Sequence, residues 1–298
     1  MDSKISAAGL KLGKIGLGIE HFARGSRVPE LSRDENSKLI IEEAYAQGIT
    51  HYDLVFNLPY FFEIFQQFLK DKRNKITFTT HLGSFYDEKH NGHIKTRSLK
   101  KIKFTYEDML KRLDVDYADI ALIQFITHYD DFEKMMKNGV FDYAKELKKN
   151  GQSKAIGMSA HKPQLLKKII SQIDLDVVML PVNFATGFRK EMKELLATCK
   201  QEGIGVIAIK NLLKGNAFTT KTSTYSAYYT MGKKFKLRLD TVATPAECIN
   251  YALDLGVDTV AFGVKNVDEL KTNMESYKLQ DKTRNYKYFE QIFKQTLS

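Results

Sequence analysis

Asp53, His81, Gln124, Ser159 with His161, Asn183 and Lys210 each stand at or just past the end of a short apolar run, and each carries a side chain able to do chemistry. A carboxylate beside an imidazole favours the imidazolium, so Asp53 with His81 would make a proton donor near neutral pH. Gln124 can donate an amide hydrogen bond to a carbonyl oxygen, and Tyr60 can offer a phenol. Together these types suit proton transfer. Each one taken singly has a structural reading too: His81 satisfies Asp53, Tyr60 starts a helix, and Gln124 supports a turn. Six runs aiming polar groups at one place is what points to a shared pocket.

Such convergence needs a scaffold that brings run ends together. β-branched runs recur at Lys14 to Gly18, Ile49 to Leu54, Ile76 to Thr80, Asp119 to Gln124, Lys154 to Ser159, Val177 to Asn183, Gly205 to Lys210 and Thr259 to Gly263. Between them the apolar residues adopt helical spacing, as in Phe61, Ile64, Phe65 and Phe68, or Met192, Leu195 and Leu196. Alternation of strand and helix predicts a parallel sheet, and eight strands predict an α/β fold of the (β/α)8 TIM barrel type, one domain over residues 1–298. In that fold the strands' carboxyl ends carry the site. Two long connections, Leu82 to Phe104 and Leu212 to Ala243, follow strands and are candidate lids, the Thr219 to Lys236 tract being a candidate for disorder as well. Phe85, Tyr86, Tyr225, Tyr228 and Tyr229 would line the pocket or lie on the surface. A last helix is expected over Asn285 to Gln295.

The formal net charge of +10 comes from Lys and Arg interleaved with Glu and Asp. Its densest runs, Ser98 to Lys103 and Gly232 to Arg238, lack interleaved aromatics, so solvated faces are expected and no nucleic-acid partner. No apolar stretch of membrane-spanning length occurs and the start lacks a secretory apolar run, so the expectation is a cytoplasmic protein with no membrane association and a small-molecule substrate. Cys199 and Cys248 fall in amphipathic segments and read as buried, inert thiols. Asp87, His90 and His93 form one local cluster of metal-ligand types, in a loop where chance spacing suffices, and no metal is expected.

The framing segments Gly48-Ile-Thr-His-Tyr-Asp53, Leu113-Asp-Val-Asp-Tyr-Ala-Asp-Ile120, Lys154-Ala-Ile-Gly-Met-Ser-Ala-His161 and Gly263-Val-Lys-Asn-Val-Asp-Glu-Leu-Lys-Thr-Asn273 resemble the aldo-keto reductase family over nearly the whole chain. The Gly157-x-Ser-x-His161 pattern and Ala208-Ile-Lys210 look most like its iron–sulfur-associated branch, whose cysteine-rich C-terminal module is missing here. The resemblance implies a Tyr that protonates the carbonyl as hydride arrives, a Lys and an Asp that tune it, and a His that orients the substrate oxygen. Asp53 falls on the family's Asp, but Leu58 stands where the Tyr belongs, His81 where the Lys belongs, and Gln124 where the His belongs. The catalytic set is either rebuilt around Asp53, Tyr60, His81 and Gln124 or lost.

The same resemblance implies a cofactor site for NADP(H), with NAD(H) the alternative. Lys265 and Asn266 would meet the ribose 2′-phosphate, Glu269 and Asn273 the adenine, and Gly215, in the loop from Lys210, the pyrophosphate. Ser159 and Asn183 would lie near the nicotinamide amide, while Met179 and Ile209 depart from the residues expected at that end. Three functions compete: an NADP(H)-dependent oxidoreductase, a non-redox lyase or isomerase using Asp53 and His81, and a non-catalytic dinucleotide-binding protein.

Overall fold

A computed structural model describes residues 4–5, 9–26, 28–90, 92–227, 230–279 and 285–297, so Tyr228 and Tyr229 lie outside the described residues. Eight parallel strands close into a barrel. They are β1 (Ile15–Gly18), β2 (His51–Leu54), β3 (Thr77–Leu82), β4 (Ala118–Ile126), β5 (Ser153–Ala160), β6 (Val177–Pro181), β7 (Gly205–Ile209) and β8 (Thr259–Gly263). Neighbours pair in chain order, and β8 closes on β1 with Val260 opposite Ile15. The eight expected runs are the eight strands.

The outer helices are α1 (Arg33–Ala46), α2 (Pro59–Leu69), α3 (Leu99–Leu113), α4 (Tyr129–Lys137), α5 (Val140–Lys149), α6 (Pro163–Ile170), α7 (Lys190–Gln201), α8 (Pro245–Asp254), α9 (Val267–Leu279) and α10 (Tyr286–Leu297). Sequence-local chemistry starts several of them. Ser32 and Glu35 form a reciprocal capping box at α1, and Thr244 and Glu247 do the same at α8 ahead of Pro245. Cys199 and Cys248 are buried in α7 and α8, and burial pushes the Cys199 thiol up to about 12. No helix among the described residues is long and apolar enough to cross a membrane.

Strand alternation divides the barrel's inside from its outside. Tyr52 packs on Phe65 and Phe68 of α2, so its neighbours His51 and Asp53 point inward. Phe78 meets Phe65 and the Thr80 hydroxyl meets Met109 Sδ, which turns Thr77, Thr79 and His81 inward. The opposite half of the interior is apolar: Ile120, Leu122, Ala155, Val177, Met179, Ile207 and Ala261 form one cluster, with Leu10 and Leu12 packed into it from the N-terminal segment. Each such large side chain removed from water contributes about 2 kcal/mol. Gly157 lets β5 approach β6, because a Cβ there would come 2.2 Å from the Val177 carbonyl oxygen.

Both long connections carry structure. Ser84–Asp87 pairs with Gly92–Lys95 as an antiparallel hairpin after β3, and Ser223–Tyr225 pairs with Phe235–Leu237 after β7. α10 ties this second hairpin down: Phe293 meets Tyr225 at 5.2 Å, and Phe289 stacks on Phe184 at 4.9 Å.

Candidate active site

The polar side of the interior culminates at the mouth in Asp53 and His81. The Asp53 Oδ1 and His81 Nε2 atoms are 2.7 Å apart and both side chains are buried. β3 extends to Leu82 before Gly83 turns the chain at φ +119°, so His81 lies within the strand and its orientation is fixed by the pleat. With Nε2 committed to the carboxylate, His81 Nδ1 is buried and has no hydrogen-bond partner among the described residues. A buried polar atom left unmatched costs about 1–3 kcal/mol, so such an atom is well suited to a ligand that matches it.

Gln124 reaches the same mouth through a local irregularity. The β4–β5 register shifts between Ile123 and Ile126, and Phe125 adopts φ +51°. This bulge re-aims the side chain before it. Gln124 Nε2 donates to the Val55 carbonyl at 3.3 Å, and its Oε1 is buried without a partner among the described residues. Gln124 thus keeps an acceptor oxygen, together with the second hydrogen of its amide nitrogen.

Two residues that the sequence did not single out hold this arrangement. Asn57 Nδ2 donates to the carbonyls of His81 and Ser84, tying the loop after β2 to the end of β3. Arg97 clamps the bulge, donating to the Gln124 carbonyl at 3.0 Å and the Phe125 carbonyl at 3.1 Å while pairing with Asp131. Arg97 and Lys95 hold the Asp131 carboxyl well below the usual carboxylate range, against a burial that pushes the other way. Neither Asn57 nor Arg97 ends an apolar run; both act across long sequence separations, and no local pattern marks them.

Tyr60 is held by contacts from α1 and the first hairpin. It stands at the start of α2 with the Arg33 guanidinium 3.8 Å over its ring and Tyr86 edge-on at 5.5 Å. Burial raises its phenol. Beside it, Phe56 stacks on His93 of the first hairpin at 3.6 Å, so aromatic contacts dock that hairpin over β2. Asp87 pairs instead with His90, which separates the three residues of the loop cluster.

On the far side of the mouth, Ser159 Oγ accepts from the Phe125 amide at 3.1 Å, and Asn183 Nδ2 donates to the Lys210 carbonyl. The Lys210 ammonium meets His161 Nε2 at 2.9 Å. Gly215 follows at φ +79° with open space where a Cβ would stand. At α9, Asn266 Oδ1 accepts from the Glu269 amide, and the Glu269 carboxylate accepts from both the backbone amide and the ammonium of Lys265. Asn273 is buried on the same helix. Asn36 of α1 donates to the Lys265 carbonyl and braces this turn.

The aldo/keto reductase family pattern matches residues 14–294. The chain belongs to that family. This aldo/keto reductase is 24% identical over 215 residues to the oxidoreductase YqkF of Bacillus subtilis (strain 168), a match covering 71% of this chain and 65% of that one. It is 24% identical over 221 residues to the L-glyceraldehyde 3-phosphate reductase of Escherichia coli (strain K12), covering 70% of this chain and 60% of the other. The matched part thus spans somewhat under two thirds of these relatives' length. Among solved structures, the holo form of the aldo-keto reductase AKR11C1 from Bacillus halodurans superposes with a TM-score of 0.74 at 19% identity, covering 99% of this chain and 96% of that one. Within this aldo/keto reductase, Leu58 is buried and serves as the residue before α2, and His81 rather than a lysine partners Asp53.

Proposed function

We propose that the chain is an oxidoreductase that interconverts a small carbonyl compound and its alcohol with a nicotinamide dinucleotide, using the Asp53–His81 pair for proton transfer. The observation that carries this reading is the buried pair with His81 Nδ1 unmatched. The Asp53 carboxylate holds His81 through Nε2, which leaves Nδ1 as the nitrogen that hands a proton to a substrate oxygen. Reoxidation of the alcohol runs the same proton back. Gln124 Oε1 accepts a hydrogen bond from a substrate hydroxyl, which favours hydroxylated carbonyl compounds. The L-glyceraldehyde 3-phosphate reductase among the relatives has a name of that chemical class. Tyr60 and Tyr86, with the hairpin docked through His93, keep water from the mouth.

The residues present suit a dinucleotide. Ser159 accepts one bond and keeps its hydroxyl proton for a carboxamide oxygen, Asn183 borders it, and the open Gly215 admits a pyrophosphate. Lys210 lies at the same end. Lys265 and Asn266 would hold a ribose 2′-phosphate, with Glu269 and Asn273 beside the adenine; the phosphate would take over Lys265 Nζ from the Glu269 carboxylate. This favours NADP(H), with NAD(H) bound more weakly. The dinucleotide supplies or takes the hydride when bound. Titration with NADPH and NADH, followed by energy transfer from tyrosine to nicotinamide, tests the reading. Saturable NADPH binding is expected, weakened about fivefold in Lys265→Ala, the scale of an exposed charge contact. Binding of neither dinucleotide refutes it.

A further inference from the structure

We propose that Lys210 has a second, covalent chemistry: its side-chain amine, presented at the barrel mouth against His161, captures small carbonyl compounds as an imine. The proposal goes beyond hydride transfer and requires no dinucleotide.

Lys210 follows directly on β7 and adopts φ +59°, a left-handed conformation that costs a lysine about 1 kcal/mol. Two bonds impose it, from Asn183 Nδ2 and from the Leu213 amide, both to the Lys210 carbonyl. The strained backbone sends the side chain across the end of β6 to His161, which follows β5. Both residues are partly exposed, so the amine is reachable from the mouth. The Lys210 ammonium meets the His161 imidazole nitrogen at 2.9 Å. As an ammonium Lys210 can only donate, so with that form His161 Nε2 is the acceptor and the imidazole proton sits on Nδ1.

Burial, with the Lys210 charge nearby, lowers His161 to about 3, so it stays a neutral acceptor. Burial also lowers Lys210 to about 8, although Glu20 pulls it the other way. A sizeable share of free amine thus exists near neutral pH, the condition for a lysine nucleophile. The step balances without any oxidant. The ammonium releases one proton to water; Nζ attacks the carbonyl carbon, forming a C–N bond. The carbonyl oxygen then takes up two protons, one from nitrogen and one from solvent, and leaves as water. A protonated imine remains.

Reductive trapping tests this directly. The full chain is incubated at pH 7 with glycolaldehyde and cyanoborohydride, without dinucleotide, and adducts are located by peptide mass spectrometry over time. Lys210 is expected to be modified about tenfold or more faster than the exposed Lys190, the gain in free amine outweighing its lower basicity. Lys210→Arg, which keeps the charge, should lose the single fast adduct from the intact-mass profile. Modification of Lys210 at or below the Lys190 rate overturns the proposal, and that comparison lies within one wild-type chain. NADPH binding without fast trapping would defeat the imine alone; trapping without NADPH binding would defeat the oxidoreductase reading alone.

Discussion

His51 and His81 sit on adjacent strands inside the same barrel, both almost shut off from solvent, yet their surroundings differ in kind. His51 Nδ1 meets the Thr77 hydroxyl at 2.9 Å and its Nε2 meets the Thr79 hydroxyl at 3.3 Å. Both nitrogens are used, and burial lowers the ring to about 4 despite the nearby Asp53 and Asp119. Even the backbone opposite makes room for it, since a Cβ on Gly16 would come 2.9 Å from its ring. Nearer the mouth, His81 has a carboxylate on one nitrogen and, among the described residues, no partner on the other. Burial alone thus makes an imidazole a neutral packing element. A charged partner on one side and an unmatched nitrogen on the other make it a candidate acid.

Removing that charged partner should break the contrast most severely. Asp53→Asn is expected to lower kcat for small-carbonyl reduction about a hundredfold or more, whereas His51→Asn should leave turnover near the parent value; equal losses would erase the distinction. Next in size is a pH effect on stability that belongs to the lower histidine. The unfolded chain protonates His51 at its ordinary 6.5, while the folded chain resists until about 4. Stability is therefore fully present above 6.5 and falls as the pH drops, by about 2 kcal/mol between pH 7 and 5. Urea unfolding at the two values should record the loss, and His51→Asn should remove its own part of it while the part due to His161 stays. His161 contributes with the same sign. Thr79→Val, which strips the hydroxyl from His51 Nε2, should cost about 1 kcal/mol by the same assay and leave turnover alone. The finest test is Gln124→Leu, expected to raise KM for a hydroxylated aldehyde severalfold, about 1 kcal/mol, with little change for the aldehyde lacking the hydroxyl.

The barrel was legible because each strand is buried on both faces and reads as an apolar run. Boundaries followed finer chemistry. β6 stops at Pro181, and Asn183 already belongs to a turn in which its carbonyl accepts from Thr186 and Gly187. α4 escaped notice because it buries just Phe132 and Met135, with Tyr129 and Met136 packed half-buried against the core. The hairpin of Ser84–Asp87 with Gly92–Lys95 read as a plain long loop, since Ser84 alone of its two strands is buried. Within the site, Asp53 and His81 were visible as polar ends of apolar runs. The seat of Tyr60 depends on Arg33 from α1 and Tyr86 from the hairpin, a meeting that no short window of sequence contains. The role of Arg97 depends likewise on a bulge that only pairing between β4 and β5 creates.

Leu10 and Leu12, folded into the base of the apolar half, have a kinetic consequence. They pack onto an interior already filled by side chains, so the mouth is the rim at which the site lies. Whatever enters deepest must wait for whatever lies above it to depart. With two reactants sharing that rim, turnover would become a queue, last in and first out, and the slower leaver would set its pace whatever the speed of the chemistry beneath.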